Sequence, residues 1–341
     1  VSRAARIPRV PVPCVVAAVL AAVLVSRPPA APPRQTETFT GCFDTAALLI
    51  GYGRGFTADA ARVRARAEEL HHLLDIYNDY EGVTNAKTVN DNAGAAPVAV
   101  PRELYEVIET GVAWHGRTAG KFNIALGPVP RLWKECAARG EGRPGPDELA
   151  AALALCDIRD VILDPERQTV FLAKPGMSLD LGAVAKGYAS RLAVEEAEGA
   201  MLLNLGGNVA VNGPPADGRA AWNIGVAHPD RPNDPSQSLI SVAASGGAVV
   251  TSGDYQRYHY DDGQRLGHII DPDTARPGAL YRSVTVAGPD AAICDILSTA
   301  LFLLPREEGM KLAGEAGYRA IWVLPDLSIA DTETERTMDH Q

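Results

Sequence analysis

Asp295 and Thr299 stand four residues apart in an apolar run, 289–303, whose composition predicts a buried helix. Four residues make about one helical turn, so carboxylate and hydroxyl share a face. A lone charge on a buried face is costly and calls for a partner. Carboxylate and hydroxyl oxygens are hard ligands of the kind Mg²⁺ takes. Mg²⁺ usually keeps substrate phosphate in its shell, so two side chains can suffice. The spacing also fits a capping or salt-bridged Asp295 with Thr299 bonded back to a helix carbonyl. A second stretch is Ser178-Leu179-Asp180-Leu181-Gly182-Ala183-Val184-Ala185-Lys186-Gly187-Tyr188. It predicts a short strand ending at Asp180, a glycine turn and a helix over 184–197, with Val184, Tyr188 and Leu192 on one face. A helix start presents N–H groups that favour anions, above all phosphates. Lys186 falls in the first turn, where a cation gains nothing from the helix dipole. Either it meets an anion, or Asp180 caps the helix and Lys186 faces water. The third feature is His268, near the end of a predicted strand and beside Asp271. An unperturbed pKa of about 6.5 suits it to take a proton from a hydroxyl nucleophile. A structural histidine tied to Asp271 fits equally. No nucleophile-elbow serine, Walker loop or HExxH occurs.

The elements that must position these groups follow from hydrophobic periodicity and turn residues. Residues 39–52 predict one strand. Thr57 is placed to cap a helix over 58–77, with Val63, Leu70 and Leu74 inward. His71 and His72 are adjacent on it and point to different faces, which argues against a shared metal. Residues 78–96 are dense in Asn, Asp, Gly and Lys and predict an exposed loop, long enough for work beyond connection. Pro101 opens a helix to about His115, followed by Gly120-Lys121-Phe122-Asn123-Ile124-Ala125-Leu126-Gly127-Pro128. Short helices carry Trp133 and run from Gly145 to near Cys156. Strands are predicted at 161–163 and 169–172, at 201–205 and 209–211 around Gly206-Gly207-Asn208, and at 222–226, 239–243 and 248–251. A loop spans 228–237, and a hairpin joins 258–260 to 265–270 across Asp261-Asp262-Gly263. A strand at 283–286, a helix at 307–315 and a strand at 319–324 complete the order. Hairpins mixed with crossovers predict an α+β fold rather than a doubly wound sheet. No linker divides 39–330, so one domain is expected there, followed by a tail at 331–341.

The chain has 341 residues and a net charge of −10, which argues against broad nucleic-acid binding; no basic patch interleaved with aromatics is present. Residues 1–38 differ from the rest. Arg3, Arg6 and Arg9 precede the apolar run 15–25, and prolines crowd 28–33. The run is short of the roughly 20 residues of a spanning helix. It reads as a secretory signal or a membrane anchor plus a Pro-rich linker, with a disordered extension from an overlong start as the alternative. Cys14, Cys42, Cys136, Cys156 and Cys294 form neither a disulfide framework nor a zinc spacing.

These motifs, in this order, resemble the FAD:protein FMN transferases, the ApbE-type flavin transferases, over nearly all of 39–324. The 178–188 stretch is similar to the family's DLGGIAKGY segment. Leu203-Asn204-Leu205-Gly206-Gly207-Asn208 resembles its glycine-pair turn. Thr251-Ser252-Gly253-Asp254-Tyr255 and His268-Ile269-Ile270-Asp271-Pro272 resemble TSGDY and HIIDP, and 295–299 resembles DALST. Gly120-Lys121-Phe122-Asn123 with Gly127-Pro128 is similar to GxFD…GP. The resemblance implies a two-lobed α+β domain with mixed or antiparallel sheets. It implies an extracytoplasmic, Mg²⁺-dependent enzyme that transfers FMN from FAD to a threonine or serine hydroxyl of an acceptor protein, releasing AMP. Carried over by position, Asp295, Thr299 and the backbone oxygen of Ala183 are metal ligands. Asp180 and Lys186 are FAD contacts. Phe43, Tyr77, Lys121, Phe122, Asn123 and Ile270 line the flavin and adenine pockets. His268, with Asp271 beside it, is the candidate at the reacting phosphate. The chain departs from the pattern at Ala183 and Ala275, where glycine is common, at Asn123, where aspartate is common, and at Cys294, where alanine is common. An FAD pyrophosphatase giving FMN and AMP, and a non-catalytic FAD-binding protein, are the alternatives that the same motifs allow.

Overall fold

The computed structural model describes residues 31–333 apart from Glu141, Asn233, Gln256, Arg257, Asp262 and Gly263. Its centre is an eight-stranded sheet, antiparallel at every pairing. From edge to edge the strands are Arg34–Cys42, Thr45–Tyr52, Leu202–Leu205, Asn208–Val211, Gly247–Gly253, Ser283–Gly288, Arg319–Val323 and Ile329–Asp331. Alternation along them sorts side chains to two faces. Leu49, Leu203, Val250, Val284 and Trp322 belong to the main core with the helices. Ile50, Leu202, Val249, Ile321 and Val323 meet the hairpin Trp222–Val226 and Ile240–Ala244 in a second core. Both faces are thus covered, and the sheet divides the domain into layers.

The segment between Tyr52 and Leu202 carries most helices: Phe56–Leu74, Ala86–Asp91, Arg102–Arg117, Pro128–Ala138, Pro146–Leu153 and Ala185–Glu195. A small antiparallel sheet of Val98–Ala99, Val161–Asp164 and Thr169–Leu172 lies within it. The apolar helix Ala291–Leu303 is buried along nearly its whole length. A third apolar cluster joins Leu126, Val129 and Trp133 to Leu266, Ile270 and Ala275. Ala275 has φ +55°, a left-handed conformation that glycine adopts more readily than alanine. Its carbonyl accepts from Trp133 Nε1 at 2.8 Å.

The structure departs from the sequence reading at several places. Residues 39–52 are two strands, not one. Phe43 and Asp44, at φ +53° and +52°, form a two-residue hairpin loop between Cys42 and Thr45. The first strand starts at Arg34, inside the stretch read as linker, while the basic and apolar runs before residue 31 lie outside the described residues. Gly55, not Thr57, precedes the helix Phe56–Leu74, with no side-chain cap. The 78–96 loop contains the helix Ala86–Asp91, capped by Asn85 and Thr88. Asp331, read as the start of a tail, is in an edge strand and pairs with Arg319 at 2.7 Å. The hairpin Tyr258–Asp261 with Gln264–Gly267 forms as expected, although Asp262 and Gly263 lie outside the described residues. No described helix is long and apolar enough to cross a membrane.

Candidate active site

Residues 178–181 form no strand, although their apolar pattern predicts one. Their partner is a side chain instead of a strand. Asn90 accepts from Leu179 N–H at 2.6 Å and donates to the Leu179 carbonyl at 3.1 Å. The Asp180 N–H donates to the Ile124 carbonyl at 2.8 Å. One amide thus satisfies both polar groups of a fully buried residue. Asn90→Ala leaves both unpaired and is expected to lower the unfolding free energy by about 1–3 kcal/mol, read by chemical denaturation. An unchanged denaturation midpoint would refute this anchoring.

The turn that follows does not hold the row of free N–H groups expected at a helix start. Val184 and Ala185 donate to the Leu181 carbonyl, Gly182 to Asp180 Oδ1 at 2.8 Å, and Gly187 to Asp295 Oδ2 at 2.9 Å. Asp180 therefore closes its own turn. Lys186 remains on the cleft wall, its Nζ donating to the Gly182 carbonyl at 2.8 Å. Lys186 thus adds a cation to a turn in which the N–H groups of Gly182, Val184, Ala185 and Gly187 are already bonded.

Asp295 is 3 % exposed and still reaches the cleft. Its Oδ2 accepts two hydrogen bonds, from Gly187 N–H and from Asn208 Nδ2 at 2.9 Å. Among the described residues Oδ1 has no protein donor. Burial pushes this carboxyl up from its ordinary range, against Lys186 and the two hydrogen bonds. Thr299, one turn on, does not simply bond back to its helix; its Oγ1 lies 3.3 Å from Ser252 Oγ. Ser252 Oγ is 2.8 Å from Ser298 Oγ, which donates to the Asp295 carbonyl. Asn208 was not singled out by sequence reasoning. It arrives from the Gly206-Gly207 hairpin, where left-handed φ values of +59° and +94° suit a two-residue loop.

These groups belong to one open cleft of about 1340 Å³. Phe43, Tyr77, Lys121, Phe122, Asn123, Asp180, Ala183, Lys186, His268, Ile270, Asp295 and Thr299 all line it. Tyr77 is 53 % exposed and lies under Lys134, whose Nζ is 4.3 Å from the ring centre. His268 is exposed on the same cleft. Asp271 is not among the residues lining the cleft, and Asn123, which is, has its side chain bonded to backbone. Asp271 faces Lys121: its Oδ1 accepts from Lys121 Nζ at 2.8 Å and from Asp273 N–H at 3.0 Å. Lys121 also pairs with Asp273 at 2.8 Å. Asp271 therefore holds a turn and a lysine. Asn123 uses its amide on the backbone, accepting from Ala125 N–H at 2.9 Å and donating to the Cys156 carbonyl at 2.8 Å. An aspartate could not make the second bond, which gives Asn123 a structural reason.

Comparison with known proteins shows the family. Residues 44–322 match the model of the ApbE family. The chain is 39 % identical over 256 residues to an FAD:protein FMN transferase of Klebsiella pneumoniae, covering 72 % of this chain and 77 % of the relative. It is 36 % identical over 292 residues to the FAD:protein FMN transferase of Treponema pallidum, covering 78 % and 79 %. The ApbE protein of Thermotoga maritima superposes with a TM-score of 0.79 at 28 % identity, over 89 % of this chain and 99 % of that one. This chain belongs to the ApbE family.

Proposed function

We propose that the chain is an FAD:protein FMN transferase. It moves FMN from FAD to a threonine or serine hydroxyl of an acceptor protein and releases AMP. The observation that carries this reading is the convergence of Asp295, Thr299, Lys186 and His268 on one cleft with room for a dinucleotide. In the step proposed, the acceptor hydroxyl oxygen forms a bond to the FMN-side phosphorus. The pyrophosphate P–O bond breaks, AMP leaves with the bridging oxygen, and His268 takes the hydroxyl proton. Lys186 faces the pyrophosphate charge. Phe43, Tyr77, Phe122 and Ile270 supply apolar and aromatic surface for the flavin and adenine rings. Phosphoryl transfer of this kind depends on positioning and charge neutralisation more than on covalent help.

The residues present fit Mg²⁺. Asp295, Thr299 and Ala183 all line the cleft, and a carboxylate, a hydroxyl and a backbone oxygen are hard donors of the kind Mg²⁺ takes; no described group of three His, Cys, Asp or Glu suggests another metal. When bound there, Mg²⁺ supplies charge neutralisation on the phosphate oxygens. Gly187 N–H and Asn208 fix Asp295 Oδ2, leaving the other oxygen oriented. We propose that the domain lies outside the cytoplasm, held by the N-terminal apolar run, from the arginines and the run 15–25 alone.

The test uses residues 31–341, FAD, MgCl₂ and a threonine-bearing acceptor protein. Flavin fluorescence that stays with the acceptor through denaturing electrophoresis supports transfer. Free FMN and AMP without labelled acceptor favour hydrolysis, which an exposed His268 in an open cleft also permits. Intact FAD after long incubation contradicts both. His268→Ala is expected to lower transfer by about 10²–10⁴-fold while FAD affinity changes little. Equal losses in both would assign His268 a structural role.

A further inference from the structure

One wall of the cleft contains a chain of hydrogen bonds that the transfer step does not use. It starts at the Phe43-Asp44 loop. Left-handed backbone is unfavourable for a bulky residue and persists only where neighbours hold it. The Phe43 N–H donates to His71 Nδ1 at 3.3 Å, and the two rings stand 5.2 Å apart. At the far end, Asp75 accepts from Tyr77 N–H at 2.7 Å, from Asn78 N–H at 3.3 Å and from Asn78 Nδ2 at 2.9 Å. Tyr80 joins the two ends. Its hydroxyl donates to Asp75 Oδ2 at 2.8 Å and lies 3.4 Å from His71 Nε2.

The direction of this chain is forced. Asp75 as a carboxylate only accepts, so Tyr80 donates to it. Phe43 N–H only donates, so His71 Nδ1 is bare. Nε2 then carries the imidazole proton and points it at the Tyr80 oxygen. We infer that His71 is a positioning residue for FAD: neutral, it ties the Phe43 loop to the Asp75-held Tyr77 segment, and a proton on Nδ1 releases Phe43. This rests on the reading of Phe43 and Tyr77 as flavin-site walls.

The charged and titratable groups around His71 come from three elements. Asp44 belongs to the hairpin loop, His72 to its own helix, and Asp75 and Tyr80 to the segment beyond. His72 stacks on the Tyr80 ring at 3.8 Å. Burial is the leading influence on His71 and lowers its pKa; His72 adds to this, while Asp75 and Asp44 oppose it. Tyr80 is pushed up to about 12 by burial and by Asp75, so it stays protonated. A depressed histidine is neutral, with the Phe43 bond intact, above its ordinary value of 6.5. The bond is lost as pH falls through the lowered value.

The experiment measures FAD affinity from flavin fluorescence across this pH range, without acceptor, in the wild type, His71→Asn and His71→Phe. Asparagine offers a carbonyl oxygen near the Nδ1 position and does not titrate. Phenylalanine keeps a ring and offers no acceptor. Wild-type Kd is expected to rise about fivefold as pH falls below the histidine range, the equivalent of one net hydrogen bond. His71→Asn keeps wild-type affinity at neutral pH and shows no such rise. His71→Phe is about fivefold weaker at every pH, also without the rise. A rise retained in His71→Asn assigns the titration to another group and overturns the inference, as does a flat wild-type curve. Nitrogen-15 NMR of labelled histidine gives a check on the wild type alone: a bare Nδ1 at neutral pH is expected, and the opposite tautomer overturns the inference. No FAD binding by the wild type at any pH would overturn the proposed function and this inference with it.

Discussion

Asp295→Ala is expected to lower Mg²⁺-dependent transfer by at least about 10²-fold, with little loss of folding stability. The two effects separate because the carboxylate is buried against opposing influences. Removing it deletes a desolvated charge, which favours the fold, and leaves Gly187 N–H and Asn208 Nδ2 without their acceptor, which disfavours it. Asp295→Asn sharpens the result. An amide oxygen can still accept one of those bonds, but the charge that attracts a divalent ion is gone. The pair should therefore show near-wild-type thermal midpoints and equally poor turnover at any Mg²⁺ concentration. Full activity of either variant at saturating FAD would refute the metal assignment.

Gly187→Ala is expected to damage both fold and site. A β-carbon at 187 would lie 2.2 Å from the Ala291 carbonyl oxygen and 2.7 Å from Asp295 Cβ. The first is backbone, so no rotamer change relieves it. The helices Ala185–Glu195 and Ala291–Leu303 must move apart, at a cost of about 1–3 kcal/mol for overpacking of this kind. The same movement draws Gly187 N–H away from Asp295 Oδ2 and unfixes the candidate metal ligand. A lowered thermal midpoint together with a raised Mg²⁺ requirement is the expected result. A wild-type midpoint would contradict the close crossing of the two helices.

Much of the site was legible because one-turn spacing and glycine turns are local signals. Asp295 and Thr299 lie on a helix as their spacing requires, and Gly182 lies in the turn before the helix bearing Lys186. Alternating apolar residues marked most sheet strands. What stayed hidden was settled by contacts distant in sequence. The Phe43-Asp44 loop carries no Asn-Gly or Asp-Gly signature, since its left-handed residues are held by His71 and the flanking strands. Asn90 stands in for a strand partner of Leu179 from 89 positions away, so its polar, turn-like neighbourhood suggested only a loop. The N–H groups at the Ala185 helix start were expected to meet phosphate, yet those of Val184, Ala185 and Gly187 are bonded to Leu181 and Asp295. Asn208 was visible only as part of a glycine turn, because its partner Asp295 is 87 residues on. Asp271 and Asn123 show the reverse case: matching a motif located them, and their own hydrogen bonds give them structural work.

Covalent transfer of FMN to protein is read from the intact mass of the acceptor. Enzyme, FAD and acceptor are incubated with MgCl₂ or with a chelator, and the acceptor is weighed after denaturation. A mass gain of one FMN less one water is expected, present with Mg²⁺, absent with chelator, and absent when the acceptor hydroxyl is replaced by alanine. An unmodified acceptor while FAD is consumed, or labelling that persists in chelator, would contradict it.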